Sequence, residues 1–165
     1  RVVFRPRALP ISLNSHRFVL DGHLGRLAAF LRMLGFDVWY DRFADDLLLA
    51  SVASSEQRLL LTRDVALLKR REIEAGYWIR SHKPHDQLIE VTRRFALHSG
   101  FTPFKRCMDC NGLLQPVSKQ EVVSIVPRYI RETKEDFSRC SACGKVFWRG
   151  THYTRMRTLI AQLTP

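Results

Sequence analysis

The stretch RFVLDGHLGRLAAFLRMLGFDVWY (17–40) has the pattern of a strand, a helix and a second strand. RFVL (17–20) is an apolar run that ends at Asp21, and leucine and alanine then recur at helical spacing as far as Leu34. Gly35 is suited to end that helix, and FDVWY follows as the second strand. Two strands joined by a helix lie parallel in one sheet, so this stretch predicts the first unit of an α/β fold.

The same alternation continues along the chain. RLLLT (58–62) is apolar on both faces, as a central parallel strand would be, and YWIR (77–80) has the pattern of a fourth strand. Helices are predicted to begin near Asp46, Val65 and Pro84. These patterns predict a parallel sheet that is flanked by helices.

The charge of the chain favours a polyanionic partner. The 165 residues carry 27 Lys and Arg against 16 Asp and Glu, which gives a net charge of +11. Such a balance favours a polyanion such as nucleic acid, and a solubilising excess of charge is the alternative. No apolar run approaches the length that a membrane span needs, so we expect no membrane partner.

All four cysteines lie beyond the turn-rich HSGFTP (98–103), which is the expected domain boundary. They form two CxxC pairs, Cys107 with Cys110 and Cys140 with Cys143. Two residues between thiolates let a tight turn direct both sulfurs to one ion, and four thiolates complete the tetrahedral shell of a structural zinc. Two disulfides and four free thiols are the alternatives. Because the given sequence opens without the apolar run of a secretory signal, we expect a cytoplasmic, reducing location, where zinc is favoured.

Acidic residues follow two of the predicted strands. Asp21 comes directly after the first strand, and Asp64 comes shortly after the third. The carboxyl ends of parallel strands converge on one crevice, where two carboxylates would repel each other unless a cation lay between them. Carboxylate oxygens suit Mg²⁺ or Mn²⁺, which can activate water beside a phosphodiester. Asp45 and Asp46 can add a further ligand, although each of these acids taken alone has an alternative as a helix cap or a loop residue.

Four stretches carry a specific resemblance to a known family. They are FVLDGHLGRLAAFLRMLGFD (18–37), RLLLTRDVALLKR (58–70), RCMDCNGLLQPV (106–117) and CSACGKVFWRGTHYTRM (140–156). Their order and spacing resemble those of the Mut-7 C-terminal RNase domain family, a PIN-like nuclease fold followed by a zinc ribbon. The resemblance implies a PIN-like nuclease domain over residues 17–100 and a zinc ribbon with a basic aromatic C-terminal segment over residues 101–165. Residues 1–16 are expected to be the remnant of an upstream domain, which is ubiquitin-like in some bacterial members.

The resemblance also assigns roles to individual residues. Asp21 matches the family's first-strand acid, and Asp64 matches the acid of its TRD motif. Asp46 best matches the acid that precedes the second helix, with Asp45 as the second candidate. These acids are implied to be catalytic, and Asp21, Asp46 and Asp64 are implied to hold Mg²⁺ or Mn²⁺. Arg63 of the same TRD motif is expected to contact a phosphate or a carboxylate.

The sequence departs from the family pattern at a fourth acid. The stretch RSHKPHDQL (80–88) has Ser81 and His82 where many relatives have acids, which leaves Asp86 as the remaining candidate. The number of catalytic ions therefore stays open.

The C-terminal segment is both basic and aromatic. Cationic side chains contact phosphates and exposed rings stack on unpaired bases, so we expect this segment to bind substrate. The candidate substrate-binding residues in it are Arg149, His152, Tyr153 and Arg155.

Together these features predict a metal-dependent ribonuclease that hydrolyses RNA phosphodiester bonds and uses a zinc ribbon to aid RNA binding. RNA is the expected partner, with tRNA and other structured RNAs as candidates. Two alternatives stay open, a non-catalytic RNA-binding adaptor and an inactivated PIN-like interaction module. The acids discriminate between enzyme and adaptor, because an adaptor has no need of clustered carboxylates that would repel bound phosphates.

Overall fold

The computed structural model describes residues 17–163, which form two sheets. The first sheet has four parallel strands in the spatial order β2-β1-β3-β4. Its elements are β1 (Arg17–Leu20), α1 (Gly25–Met33), β2 (Asp37–Tyr40), α2 (Asp46–Ser55), β3 (Leu59–Thr62), β4 (Gly76–Trp78) and α3 (Pro84–Arg94). The predicted α/β fold with a parallel sheet is therefore confirmed. The predicted N-terminal remnant, residues 1–16, lies outside the described residues.

The two central strands are buried on both faces. On one face Phe18 and Leu61 belong to a core that includes α1 and α3, and on the other face Val19 and Leu60 belong to a core that includes α2. Alternate residues of a strand point to opposite faces, so a strand between two layers of helix needs apolar residues at every position. β3 therefore has leucine at three successive positions, because both of its faces are buried.

One predicted helix is shorter in the structure than expected. The segment that begins near Val65 contains only a 3-10 turn over Leu67–Lys69, and Leu67 is its one fully buried residue. This segment is mostly exposed and packs against the sheet only through Leu67 and Leu68, and the packing of an apolar face supplies most of the stability of a protein helix. The short helix predicted from Val65 is therefore present only as this one 3-10 turn.

The second sheet is antiparallel and small. It contains β5 (Leu114–Val117), β6 (Phe137–Cys140) and β7 (Val146–Trp148) in that spatial order, with α4 (Arg128–Thr133) inserted between β5 and β6. Its own core consists of Val122, Val126, Phe137 and Val146, with Trp148 packed against them. This is the ribbon that the paired cysteines predicted.

The last helix, α5 (Thr151–Leu163), returns to the first core. Leu163 is buried there, and Met156, Leu159 and Ile160 pack against the same cluster. Phe101 and Phe104 also pack against it, so one core contains side chains from both sides of residue 100. Within residues 17–163, no helix combines the length and the apolar character that crossing a membrane requires.

Arg32, on the inner side of α1, connects the two sheets. Its side chain is only 4% exposed. Its Nε and Nη2 atoms donate to the carbonyl oxygen of Val38 at 3.1 and 2.8 Å, and Nη1 donates to the carbonyl oxygens of Met108 and Asp109 at 3.2 and 2.7 Å. One buried cation thus binds an edge strand of the first sheet and the first cysteine turn of the ribbon together.

Asn111 makes a second connection at the same place. Its Oδ1 accepts a hydrogen bond from the backbone N–H of Val38 at 3.0 Å, and its Nδ2 donates to Oδ1 of Asp37 at 2.8 Å. Arg58, which is 6% exposed, donates from Nη1 to the same Asp37 oxygen at 2.9 Å. Burial alone would raise the pKa of Asp37, but the hydrogen bonds from Arg58 and Asn111 and the charge of Arg58 lower this pKa to about 2.

Replacing Arg32 should loosen the attachment of the ribbon. In Arg32→Met the apolar packing is largely kept, but one buried and two partly buried carbonyl groups lose their donor, so the free energy of unfolding should fall by about 3 kcal/mol. Urea unfolding followed by tryptophan fluorescence measures this. Arg26→Met, an exposed change on the same helix, is the matched control and should alter stability by less than about 0.5 kcal/mol. Equal stability of the two variants would contradict the assigned role of Arg32.

The Asp37 carboxylate should make the fold sensitive to acid. Its pKa is near 3.9 in an unfolded chain and about 2 in the folded protein, so its contribution is complete above pH 4 and is lost as the pH falls through 2. Between pH 5 and pH 2 the wild-type protein should lose about 2 kcal/mol more of its unfolding free energy than Asp37→Asn does. Glu74→Gln, at an exposed position, should keep the wild-type pH profile.

Candidate functional site

The carboxyl ends of the four parallel strands form one edge of the first sheet, and we call it the acidic edge. Asp21 follows β1 directly, and Asp64 lies two residues after the end of β3. Because β1 and β3 are neighbours, with Leu20 opposite Leu61, the two acids lie side by side at this edge. Ligands of open parallel sheets bind in the crevice at such an edge.

The buried hydroxyl of Thr62 links the two acids. Its Oγ1 donates to Oδ2 of Asp21 at 2.8 Å and accepts the backbone N–H of Asp64 at 2.9 Å. Thr62 is fully buried, so this link is held by the core of the sheet. The sequence analysis missed Thr62 because it concentrated on acids, although the residue is the first letter of the TRD motif.

Asp45 and Asp46 have different environments at the start of α2. Oδ1 of Asp45 accepts the backbone N–H of Leu48 at 2.8 Å, which is a helix N-cap. Asp46 is exposed in the first turn and makes no hydrogen bond or ion pair with the described residues. Its carboxylate is therefore the less committed of the two. Within residues 17–163, however, no three carboxylates come together as closely as the four cysteine sulfurs do.

Arg63 does not contact a carboxylate. Its exposed guanidinium donates from Nη2 to Nδ1 of His82 at 2.7 Å, across the gap between β3 and the loop after β4. Asp86, the remaining candidate for a fourth acid, is exposed in the first turn of α3, and its Oδ1 lies 4.0 Å from Nδ1 of His85. Arg63 thus lies at the acidic edge, and its positively charged guanidinium is exposed to solvent.

Glu90 is an acid near this edge that the sequence analysis missed. From α3 it accepts the hydroxyl of Tyr77 at 2.9 Å and the backbone N–H groups of Arg80 and Ser81 at 3.0 and 2.9 Å. Burial would raise the pKa of Glu90, but these N–H groups and the hydroxyl keep it lowered. Glu90 therefore fixes the loop that follows β4, and its sequence signal was a lone acid on the inner side of an amphipathic helix.

The four cysteines form a compact cluster in the ribbon. All four sulfurs lie within 4.8 Å of one another, and the Sγ atoms of Cys107 and Cys143 are 3.8 Å apart. Sulfurs bound to one zinc at about 2.3 Å lie about 3.8 Å apart when the geometry is tetrahedral. All four are free thiols, so the predicted zinc site is supported over two disulfides. Four cysteine ligands leave no position for water, which makes this centre structural.

The two cysteine turns have the same backbone form. Asn111 and Gly144, each four residues after the first cysteine of its pair, have φ of 72° and 74°. Burial raises the pKa of Cys107 to about 12. Burial would also raise the pKa of Cys140, but the backbone N–H groups of Cys143 and Ala142 lower it to about 7. Backbone N–H groups that donate to the sulfur stabilise the thiolate, which is the form of cysteine that binds a metal.

Three of the four substrate-binding residues predicted in the C-terminal segment line one groove. A groove of about 800 Å³ lies between α1, the ribbon sheet and the start of α5, and Arg149, His152 and Tyr153 face it. The ring of Tyr153 lies 4.5 Å from that of Phe104, and the Arg149 guanidinium lies 5.7 Å from the Tyr153 ring. Arg155 is exposed elsewhere on α5 and does not line the groove.

The ribbon attachment and the acidic edge lie at opposite ends of the first sheet. The ribbon contacts the start of β2, at Asp37 and Val38, whereas Asp21 and Asp64 follow the ends of their strands. Four residues of strand separate these levels, a distance of about 13 Å. A molecule that contacts both the groove and the acidic edge therefore has to span the length of the first sheet.

Purified protein should contain one zinc per chain. Cys143→Ser removes one ligand, so zinc should be lost and the ribbon should unfold, because binding of a structural zinc supplies much of the folding energy of such a module. Metal analysis and circular dichroism of the variant measure both effects. Ser141→Ala, in the same turn but not a ligand, is the matched control and should keep its zinc. Zinc-free protein with all four thiols oxidised would contradict the assignment.

Comparison with known families gives one result. A family model described as Mut7-C RNAse domain matches residues 16–160, nearly the whole chain. No curated protein and no solved structure matches the chain. The match spans both the parallel sheet with its acidic edge and the four-cysteine ribbon, so the two parts belong to one conserved unit of that family.

Proposed function

This chain belongs to the Mut7-C RNase domain family, and on that premise we propose that it is a Mg²⁺- or Mn²⁺-dependent ribonuclease that hydrolyses RNA phosphodiester bonds at the acidic edge. The observation that carries the proposal is the link from Asp21 through Thr62 to Asp64 at the carboxyl ends of two adjacent strands. Thr62 fixes the carboxylate of Asp21 and the backbone of Asp64, so two acidic side chains start from neighbouring strand ends, where a bound cation would reduce their mutual repulsion.

The residues at this edge fit a hard divalent cation. Asp21 keeps one carboxylate oxygen outside its bond to Thr62, and Asp64 keeps one outside its bond to the backbone N–H of Ala66. We assign the cation to these oxygens and to the uncommitted carboxylate of Asp46, with Asp45 retained as a helix cap. A bound Mg²⁺ or Mn²⁺ supplies an activated water and neutralises charge on the scissile phosphate.

The side chains of the chain itself hold and orient the substrate. Thr62 keeps the Asp21 carboxylate in one orientation, so it does not have to be ordered when substrate binds. Arg63 offers an exposed guanidinium at the same edge and is placed to attract a phosphate. The proposed products carry a 5′-phosphate and a 3′-hydroxyl, as the family resemblance implies, and no side chain acts as a covalent nucleophile.

The ribbon is proposed to extend RNA binding beyond the acidic edge. Arg149, His152 and Tyr153 would contact RNA in the groove, and Arg155 would contact it from the exposed side of α5. Because groove and edge lie at opposite ends of the sheet, an RNA with a long or folded body, such as a tRNA, fits this arrangement better than a short oligonucleotide. Zinc held by thiolates requires a reducing compartment, so the proposal includes a cytoplasmic location.

A non-catalytic RNA-binding adaptor is the second candidate. The observation that favours it is that, in the described part of the chain, the acids do not close into a cluster of three. An adaptor would bind RNA through the same basic residues, and divalent cations would not alter the RNA.

Cleavage of a labelled structured RNA with Mn²⁺ tests the proposal. Asp64→Asn keeps the shape of the side chain but removes its charge, so cleavage should fall by at least about 100-fold while RNA binding persists. Asp46→Asn should reduce cleavage more than Asp45→Asn, because Asp45 is engaged as a cap. In the same assay Arg155→Gln should weaken binding and leave the cleavage rate at saturating RNA unchanged.

The control for this assay is Glu74→Gln, which changes an exposed acid on the segment between β3 and β4. It should cleave as the wild type does. Cleavage that survives removal of divalent cations by EDTA, or that is as fast in Asp21→Asn and Asp64→Asn as in the wild type, would mean that a contaminant or another site cuts the RNA. Either result would overturn the enzyme proposal in favour of the adaptor.

A further inference from the structure

Large apolar side chains are exposed around the acidic edge. They are Phe43, Leu47, Leu48, Val65 and Trp78. Phe43 is 86% exposed and Trp78 is 43% exposed. Apolar groups that gather in one exposed place mark a binding surface, since scattered single ones are ordinary.

The two aromatic residues flank the acids in a fixed order. Phe43 follows β2 and Trp78 ends β4, which are the outer strands, whereas Asp21 and Asp64 follow the inner strands. Across the acidic edge the order is therefore ring, acid, acid, ring. Neighbouring strands are about 4.8 Å apart, so the four positions span about 14 Å.

Trp78 is tied directly to the residue that links the acids. It lies opposite Thr62 in the register of β3 and β4, and the backbone N–H of Ile79 donates to the carbonyl oxygen of Thr62 at 2.8 Å. The indole thus belongs to the strand next to the Thr62 hydroxyl. The guanidinium of Arg80 lies 5.4 Å from the centre of the Trp78 ring.

Phe43 is held on the opposite side of the acids by its loop. The backbone N–H of Phe43 donates to Oδ1 of Asp41 at 2.9 Å. A Cβ atom on Gly22, the residue after Asp21, would lie 2.6 Å from the carbonyl oxygen of Arg42, so this loop is pressed against the acidic edge. The Arg42 guanidinium lies 5.7 Å from the centre of the Phe43 ring.

Each ring therefore has a cation beside it and an acid on the other side. Rings stack on bases of any sequence, and guanidinium groups contact phosphates, so a ring next to an arginine is suited to one nucleotide. Arg63 adds a third guanidinium between the two rings, beside Asp64. An alternation of rings and cations along about 14 Å matches the alternation of bases and phosphates in a single strand.

We propose that Phe43 and Trp78 are stacking sites for the unpaired bases on the two sides of the scissile phosphate. The acidic edge then takes single-stranded RNA, such as a loop or an end, because bases in a duplex are already stacked and paired and cannot turn onto the rings. This inference rests on the proposed function and adds to it the class of RNA segment that the acidic edge accepts.

Binding of a labelled oligonucleotide to the Asp64→Asn protein, with Mg²⁺ present, tests the proposal without cleavage. Phe43→Ala and Trp78→Ala should each weaken binding of a single-stranded RNA by about 5- to 100-fold, and should weaken binding of the same RNA in a duplex by less than about 2-fold. Tyr129→Ala, which removes an exposed ring from the ribbon, is the matched control and should change neither.

Two further variants protect the test against a general loss of structure. Trp78→Phe and Phe43→Tyr keep a ring and should bind single-stranded RNA within about 3-fold of the parent. An RNA with an abasic nucleotide on one side of the scissile phosphate has no base there to stack on a ring. On this RNA one of the two alanine substitutions should no longer weaken binding, whereas the other should weaken it as before. Unchanged binding in both alanine variants, or equal losses for single-stranded and duplex RNA, would overturn the proposal and indicate that the rings dock a protein.

The binding test of the stacking sites and the cleavage test of the proposed function can fail independently. If wild-type protein cuts no RNA with Mn²⁺ but the alanine variants still lose single-strand binding, the chemistry fails and the stacking sites stand. If cutting is confirmed and both alanine variants bind as the parent does, the stacking sites fail and the chemistry stands.

Discussion

The buried guanidinium of Arg32 is the interaction on which the arrangement of the two sheets depends. β2 is an edge strand, and an edge strand exposes backbone groups that can pair with other chains. Here the carbonyl of Val38 is bound by Arg32 and its N–H by Asn111, so the ribbon covers the edge. Removing the ribbon would leave Nη1 of this buried cation without its two acceptors and the outer edge of β2 uncovered.

This attachment also decides where chemistry and binding lie. Because the ribbon holds the amino end of the sheet, the carboxyl end is left open, with Asp21, Asp64 and the rings of Phe43 and Trp78 around it. The groove beside α5 lies on the side of the ribbon, so the proposed site for a short unpaired segment and the proposed surface for the rest of an RNA are separate.

Much of this arrangement could be predicted from the sequence, because it depends on local patterns. Alternating apolar runs predicted the sheet, and the spacing of cysteines predicted the cluster whose sulfurs lie within 4.8 Å. The rest depends on contacts between residues far apart in the chain, such as that of Arg32 with Asp109. It also depends on a turn residue whose side chain binds another element. Asn111 has the left-handed conformation that asparagine tolerates in a turn, and its amide also binds β2.

The return of α5 to the first core gives the four-cysteine cluster a role in chain connectivity. Between Met108 and Met156 the chain leaves that core and comes back to it. Without a cross-link this excursion is a loop of about 50 residues, and a zinc ion bound by both Cys107 and Cys143 would shorten the path to about 14 residues. The shorter loop lowers the entropic cost of packing α5 against the first core by about 1 kcal/mol. Loss of the metal from the ribbon would therefore weaken the hold of the last helix on the parallel sheet, although that helix contributes no ligand.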